Sequence, residues 1–241
     1  MRATVVIPTY NERDNIAQLL SAIRAVAPDL HVLVVDDNSP DGTGALVDQL
    51  SAHDERVRAL RRPGRLGYGT AVADGMARAL AEGAGLVLTM DADFSHDPKH
   101  LPELLLRAEE CEVVVGSRYV PGGGTRNWGL LRRALSAGAN LVARALLGLP
   151  VHDCTGGFRC YHRAVVERIN PSTIAVEGYG FLTASLFRCH RAGYRLGEVP
   201  IIFEDRRFGQ SKLSKRIIVE AVGVVFRLFL ERLTGRRVRG L

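Results

Sequence analysis

Two aspartates separated by a single residue follow an apolar run near the middle of the chain. The run is LVL at 86–88, and the stretch TMDADFSHDP that follows contains Asp91 and Asp93. Two like charges this close repel each other unless a cation lies between them or both face water. Mg²⁺ and Mn²⁺ favour carboxylate and phosphate oxygens. The pair could bind one divalent cation together, or one carboxylate could bind the cation and the other a ribose hydroxyl; simple turn chemistry is the alternative.

Polar residues also follow three other apolar runs. They are Pro8–Glu12 after TVVIP, Asp36–Asp37 after HVLVV, and Gly116–Arg118 after VVV. Ligands of open α/β sheets bind outside the carboxyl ends of the strands. Acids from three strands and an arginine from a fourth would then meet at one edge. The stretch DDNSPDGT at 36–43 is also typical of a turn, and both interpretations are compatible.

The usual phosphate-binding loops are absent from the sequence. No G-x-G-x-x-G follows the first apolar run, and the chain contains no G-x-x-x-x-G-K-[ST]. A bound phosphate would therefore be held by a metal ion and by arginine. The four cysteines form no C-x-x-C pair, so a zinc site is not indicated and reduced thiols are expected.

Strand and helix patterns alternate five times in the first half of the chain. The strand segments are near-continuous apolar runs at 4–8, 31–37, 57–62, 86–93 and 111–119. Such runs are typical of a parallel sheet covered by helices on both faces. The sequence thus predicts an α/β fold with a mostly parallel central sheet.

The second half is less regular. It predicts in turn a Gly-rich loop, a helix, a loop with a short strand and helix, another helix, a strand and a basic loop, at 119–131, 132–147, 153–169, 178–193, 194–205 and 206–212. We expect two parts overall, a catalytic domain over 1–214 and an amphipathic basic helix and tail over 215–241.

The positive charge is concentrated at the C-terminal end. The net charge is +6, but residues 206–241 hold 10 Lys+Arg against 2 Asp+Glu. A basic segment is suited to nucleic acid or to an anionic membrane surface. Nucleic acid is disfavoured because the charge lies beside an apolar helix and lacks interleaved aromatic residues. The N-terminus has no apolar run typical of a signal peptide.

The segment 215–233 reads as one amphipathic helix. Its polar positions recur at steps of three or four, and its apolar stretches are shorter than the roughly 20 residues that cross a bilayer. A wide apolar face with a narrow charged stripe and a basic end favours a helix lying in the membrane interface. Packing on the protein's own core or on a second subunit is the alternative.

Five motifs taken together resemble those of glycosyltransferase family 2 enzymes of the GT-A fold, and within them the dolichyl- or polyprenyl-phosphate mannose synthases. The resemblance covers about residues 4–214, and the motifs are IPTYNE, VDDNSPDGT, MDADFSHDP, GSRY and FEDRRFGQSKLS. It implies transfer of mannose from GDP-mannose to a polyprenyl phosphate, with inversion to a β-linked product. It also implies a cytoplasmic protein, peripheral on the inner face of the cell membrane.

The resemblance further implies roles for particular residues. The nucleotide would be held by Pro8, Tyr10, Glu12, Asp37, Asp91, Arg206 and Lys212. Mg²⁺ or Mn²⁺ on the diphosphate would be held by Asp91, Asp93 and Ser95. The acceptor phosphate would be held by Arg118, Arg132 and Ser136. The residues closest to the chemistry would be Asp91, Asp93, Arg118, Arg132 and Arg206.

The chain departs from the family pattern near residue 180. Relatives commonly have Gln and Glu in a G-Y-x-F-x-x-E motif where this chain has Leu182 and Ala184, and Ser in place of Gly156. The missing acid leaves the donor sugar open, unless Glu177 compensates. The alternatives are an enzyme that uses another nucleotide sugar, such as UDP-glucose, and a non-catalytic nucleotide-sugar-binding homologue.

Overall fold

The computed structural model describes residues 1–176, 178, 180–205 and 215–235, with side chains over 215–219 excluded. Arg206 and Lys212, expected at the diphosphate, lie outside the described residues, and so does Glu177. Their roles stay predictions.

A seven-stranded sheet forms the centre of the protein. Its strands are β1 (Ala3–Thr9), β2 (His31–Asp36), β3 (Val57–Arg61), β4 (Leu86–Thr89), β5 (Val113–Ser117), β7 (Arg159–His162) and β8 (Leu196–Pro200). Their order across the sheet is β3-β2-β1-β4-β7-β5-β8. All neighbouring pairs are parallel except the two made by β7. The prediction of a mostly parallel sheet is confirmed.

Helices cover both faces of this sheet. They are α1 (Arg13–Val26), α2 (Thr43–Ser51), α3 (Tyr68–Ala81), α4 (Leu101–Arg107), α5 (Leu130–Leu147), α6 (Arg163–Ile169), α7 (Gly180–Arg191) and α8 (Lys215–Thr234). Buried side chains of α1, α2 and α4 form one apolar core, and those of α3, α5, α6, α7 and α8 form the other. The expectation of helices on both faces is therefore also confirmed.

The Gly-rich segment 119–131 contains a short strand that the sequence did not predict. This strand, β6 (Gly124–Thr125), pairs with β9 (Ile202–Phe203) in a second, two-stranded sheet. Just before β6, the backbone at Gly123 lies close to that at Ser117. A Cβ on residue 123 would be only 2.5 Å from the carbonyl oxygen of Ser117, so a residue without a side chain is needed there. The predicted single strand over 194–205 is accordingly split into β8 and β9.

The sheet order brings the predicted strand ends together. The N–H of Asp37 donates to the carbonyl oxygen of Thr9 at 3.0 Å, and that of Met90 donates to the carbonyl oxygen of Val6 at 3.1 Å. The carboxyl ends of β1, β2 and β4 are therefore adjacent. Strand β5 lies two positions beyond β4, because β7 is inserted between them.

The C-terminal helix α8 packs against the body of the protein. Val224 and Leu228 are buried in one of the two apolar cores, whereas Val222 and Phe226 are exposed. Arg232 donates to the carbonyl oxygen of Leu146 at 2.7 Å and so satisfies the last turn of α5. Among the described residues, no helix has the length and apolar character needed to cross a membrane. The division of the chain at residue 214 stays a prediction.

Candidate active site

The two motif aspartates lie in the turn after β4, where φ of Phe94 is +62°. Asp93 is 8% exposed, and its Oδ1 accepts hydrogen bonds from the N–H and the hydroxyl of Ser95 at 3.1 and 2.6 Å. Ser95 therefore orients the Asp93 carboxylate in this structure. The Oδ1 atom of Asp91 is buried and has no hydrogen-bond partner of normal geometry among the described residues.

Burial raises the pKa of Asp91 above its ordinary value, and the nearby charges of Asp93 and Glu12 raise it further; His96 acts in the opposite direction. The Tyr68 hydroxyl also lowers this pKa in part. The raised pKa means that the ionised form of Asp91 is disfavoured in this structure. A bound cation would stabilise that form, and Oδ1 lies ready to contact it.

The site fits a metal that arrives with its substrate. The described part of the chain contains no group of three or more His, Cys, Asp and Glu side chains placed to hold a metal ion. Mg²⁺ is usually bound through one or two carboxylates plus substrate phosphates, not by an all-protein cage. Asp91 and Asp93 supply two carboxylates, which is what such a cation needs from the protein.

His96 is part of this turn, and the sequence alone indicated no role for it. It is 1% exposed, and its Nδ1 accepts a hydrogen bond from the N–H of Asp91 at 3.0 Å. The ring stacks on Phe158 with centroids 5.0 Å apart and meets the edge of Phe203 at 5.5 Å. Burial lowers the pKa of His96, which favours the neutral ring that can accept this bond. The sequence signal that could have pointed to His96 was its position in the same motif, five residues after Asp91.

Asp37 lies at the carboxyl end of β2 with both carboxylate oxygens engaged. Oδ1 accepts from Arg62 and Oδ2 accepts from the N–H groups of Leu66 and Gly67, at 3.2 and 3.1 Å. Asp37 therefore holds the loop between β3 and α3 in place. Oδ2 already accepts two hydrogen bonds, so only Oδ1 keeps a lone pair for the predicted contact with a nucleoside.

The other residues expected at the nucleotide lie along β1 and the turn after it. Pro8 is partly exposed and faces Val35 in the sheet register. The guanidinium of Arg65 stacks on the ring of Tyr10 at 4.3 Å. Glu12 is buried and accepts from the side-chain amide of Asn15 at 2.8 Å. These roles stay predictions.

Arg118 is held in a buried ion pair that the sequence did not indicate. Its Nε and Nη2 donate to the two carboxylate oxygens of Asp153, both at 2.7 Å, and Nη2 also donates to Thr155 at 2.9 Å. The side chains of Arg118 and Asp153 are 7% and 0% exposed. Nη1 makes no hydrogen bond within the described residues, so this nitrogen is the part of Arg118 that can serve a ligand.

Arg132 and Ser136 lie in the first two turns of α5. The Arg132 guanidinium stacks on the ring of Trp128 at 4.0 Å and donates to Asp205 at 3.1 Å. Ser136 accepts a hydrogen bond from the Tyr119 hydroxyl at 2.7 Å. The structure therefore brings both residues to the side of the site where Arg118 lies, because Tyr119 follows Arg118 directly.

The two positions that depart from the family pattern are buried. Leu182 and Ala184 are 2% and 0% exposed and belong to the apolar core around α7. The carbonyl oxygen of Leu182 accepts from Arg159 at 2.6 Å, and Arg159 is fully buried. Every hydrogen bond that Arg159 makes within the described residues is to a neutral oxygen. Both departures from the family pattern therefore lie in the buried apolar core.

The fold is the GT-A fold of glycosyltransferases. The sequence profile of glycosyl transferase family 2 matches residues 4–169. The chain belongs to this family.

Two relatives are similar over most of their length. Polyprenol monophosphomannose synthase of Mycolicibacterium smegmatis is 43% identical over 223 residues, which is 92% of this chain and 84% of the relative. Undecaprenyl-phosphate mannosyltransferase of Micrococcus luteus is 42% identical over 240 residues, 99% of each chain.

One solved structure bears on the fold alone. It is a mannosyltransferase from Pyrobaculum calidifontis in complex with GDP-Man and Mn²⁺, with a TM-score of 0.62 and 19% identity. The match covers 99% of this chain and 65% of that structure.

Proposed function

We propose that this protein transfers mannose from GDP-mannose to a polyprenyl phosphate and so forms a β-linked polyprenyl-phosphate mannose. The observation that carries the proposal is the apposition of two charged groups at one edge of the sheet. On one side Asp91 offers an unpartnered carboxylate oxygen next to Asp93. On the other, Arg118 and Arg132 flank Trp128. The names of the two close relatives support both the sugar and the acceptor class.

The carboxylates are suited to the donor. A divalent cation, Mg²⁺ or Mn²⁺, held by Asp91 and Asp93 would neutralise charge on the diphosphate leaving group. The proposed diphosphate contacts of Arg206 and Lys212 would add to this neutralisation. The proposed nucleoside contacts are Pro8, Tyr10, Glu12 and Asp37.

The arginines are suited to the acceptor. A phosphate monoester has a second pKa of about 6 and is largely ionised near neutral pH. Its oxygen therefore needs no strong general base. The Nη1 of Arg118 and the guanidinium of Arg132 would bind this dianion and align one oxygen behind the sugar carbon. A single displacement in this geometry inverts the configuration at that carbon.

The acceptor's isoprenoid chain lies in a bilayer, and two helices offer apolar surface for it. Leu131 and Leu135 of α5 are 74% and 66% exposed, and Phe226 and Leu233 of α8 are 58% and 65% exposed. The two helices pack against each other. We propose that both lie on the inner face of the cell membrane, where exposed basic side chains such as Arg133 would meet anionic lipid.

A transfer assay tests the proposed function. Purified protein with Mn²⁺, GDP-mannose and undecaprenyl phosphate is expected to form a lipid-soluble, acid-labile mannose product, and UDP-glucose is expected to give far less product. Product from UDP-glucose and not from GDP-mannose would reassign the donor. If neither GDP-mannose nor UDP-glucose gave product, the proposed transferase activity would be rejected. A non-catalytic nucleotide-sugar-binding protein would then be favoured.

Changes to the exposed apolar residues test the membrane contact. The double variant Leu135→Ser/Phe226→Ser is expected to reduce binding to anionic vesicles roughly tenfold. The reason is that two apolar side chains that would be transferred from water into the membrane are lost. Leu106→Ser is the matched control, since Leu106 is 67% exposed on α4, whose buried residues belong to the other core. Flotation with vesicles measures the binding. Equal binding by the double variant and the control would contradict the proposal.

A further inference from the structure

The single tryptophan of the chain has an unsatisfied hydrogen-bond donor. Trp128 is the only tryptophan among the 241 residues. Its indole Nε1 is buried and has no hydrogen-bond acceptor among the described residues. Native proteins contain few buried donors without a partner, because losing the hydrogen bond to water without replacing it is destabilising. Such a donor at a ligand site points to an acceptor that the ligand supplies.

Two guanidinium groups lie beside this donor, and each has one carboxylate partner. The guanidinium carbons of Arg132 and Arg118 lie 4.0 and 5.7 Å from the centre of the Trp128 ring. Asp153 neutralises Arg118 through Nε and Nη2, which leaves Nη1 for another partner. Two cations and an N–H donor are together suited to an oxyanion with several lone pairs, such as a phosphate monoester.

The ring is also fixed in place. Its edge contacts Phe203 with centroids 5.4 Å apart, and Phe203 in turn contacts His96 at 5.5 Å. His96 is bonded to the N–H of Asp91. Phe203 and His96 therefore separate Trp128 from the turn that contains Asp91 and Asp93. Trp128 lies two residues before α5, the helix that contains Arg132. This position favours the acceptor side of the site over the donor diphosphate.

We propose that Trp128 donates its indole N–H to an oxygen of the acceptor's phosphate and so orients that group for attack. The inference rests on the proposed function, because it assigns this residue to the acceptor of the same reaction. Arg118 and Arg132 supply charge and their own hydrogen bonds to the phosphate. The indole N–H adds a further directed bond, which restricts how the phosphate turns within the site.

The first test observes the N–H itself. Because Trp128 is the only tryptophan, an ¹H–¹⁵N spectrum contains one indole cross-peak. The protein is saturated with GDP and Mg²⁺ and titrated in parallel with geranyl phosphate, inorganic phosphate and geraniol. Geranyl phosphate is expected to move the peak downfield and geraniol is not. An unmoved peak at saturating geranyl phosphate overturns the proposal, and a shift with inorganic phosphate alone assigns the donor to a free anion and overturns the acceptor role.

The second test removes the N–H together with part of the indole ring. Trp128→Phe keeps an aromatic ring for Arg132 and Phe203. It is expected to raise KM for undecaprenyl phosphate about tenfold to a hundredfold, the range for one hydrogen bond to a charged group. KM for GDP-mannose and the Kd for GDP are expected to stay within about twofold, and the melting temperature is expected to stay near wild type. If Trp128 had a purely structural role, Trp128→Phe would change KM for GDP-mannose and KM for undecaprenyl phosphate together.

A matched control loses one aromatic hydrogen-bond donor elsewhere. Tyr194→Phe removes a hydroxyl that donates to the carbonyl oxygen of Ala164 at 3.2 Å, far from α5 along the chain. Its acceptor KM is expected to equal that of wild type. If wild type transfers mannose and Trp128→Phe keeps the wild-type acceptor KM, the inference fails alone. If wild type makes no product, the proposed function fails, and the titration still decides whether Trp128 binds a phosphate.

Discussion

Replacing Asp91 with alanine is expected to reduce mannosyl transfer at least roughly 100-fold, because the diphosphate leaving group loses the carboxylate that would hold its cation. Asp91 has a buried Oδ1 without a hydrogen-bond partner among the described residues. Its removal costs the contact with the Tyr68 hydroxyl but relieves a buried charge, so the melting temperature is expected to change little. Product formation at saturating GDP-mannose, with Mn²⁺ varied, measures the effect.

A third aspartate of the same turn is the control. Asp97 accepts from the N–H of Lys99 at 3.0 Å and caps the short helix that follows. Asp97→Asn keeps a good capping residue and is expected to transfer mannose at the wild-type rate. Calorimetry adds a second measurement, since Mn²⁺ is expected to tighten GDP binding in wild type and in Asp97→Asn but not in Asp91→Ala. Full activity of Asp91→Ala, or metal-independent transfer by wild type, would contradict the metal assignment.

Asp93→Ala separates an enzyme from a binding protein. If transfer is lost while GDP-mannose still binds, the wild-type activity belongs to this site. The melting temperature is expected to fall modestly here, because Asp93 also accepts two hydrogen bonds from Ser95.

The sheet was predictable where each strand is a continuous apolar run. The first five strands were found because apolar residues, many of them β-branched, recur in them and turn residues bound them. Strand β7, Arg159–His162, was expected only as a short strand of unknown place. It has four residues and no apolar run, and its antiparallel pairing with β4 and β5 is made by contacts distant in sequence. Local sequence contains no information about such a choice of neighbours.

The positions of the candidate site residues in the fold were predictable to a similar degree. Asp91, Asp93 and Arg118 stand next to strand ends, and the position of a strand end follows from the strand. Asp153 was missed because it lies 35 residues after Arg118 and returns to it only in the fold. Trp128 lies in the Gly-rich segment 119–131, and it contacts Phe203 of β9, whose pairing with β6 the sequence did not indicate. Long-range pairing therefore accounts for both omissions.

Asp153→Ala is expected to cause the largest loss of stability, about 3–5 kcal/mol in the free energy of unfolding. Breaking a buried ion pair by removing one partner leaves the other charge uncompensated. Arg118 would keep only its bond to Thr155 in the part of the chain that the structure describes. For a chain of this size the melting temperature is expected to fall by roughly 10 °C. Thermal and urea unfolding measure the two quantities.

Two further variants identify burial as the cause. The double variant Asp153→Ala/Arg118→Met removes both charges and is expected to be more stable than Asp153→Ala alone. Glu112 pairs with Arg195 through two hydrogen-bonded nitrogens as well, but Arg195 is 68% exposed. Glu112→Ala is therefore expected to cost less stability than Asp153→Ala. If Asp153→Ala were as stable as Asp153→Ala/Arg118→Met, burial of an uncompensated charge would not be the cause.

The cost of Asp153→Ala is also expected to depend on pH. Burial alone would raise the pKa of Asp153, but the charge and hydrogen bonds of Arg118 outweigh it and hold this pKa below its ordinary value. A carboxyl whose pKa is depressed by folding contributes stability that is fully present above its unfolded pKa, about 3.9. That contribution is lost as pH falls through the folded value. The stability difference between wild type and Asp153→Ala is thus expected to be constant above about pH 5 and to shrink in stronger acid. A difference that grows in acid would mean that Asp153 is protonated in the native state and that Arg118 is held for the acceptor by other groups.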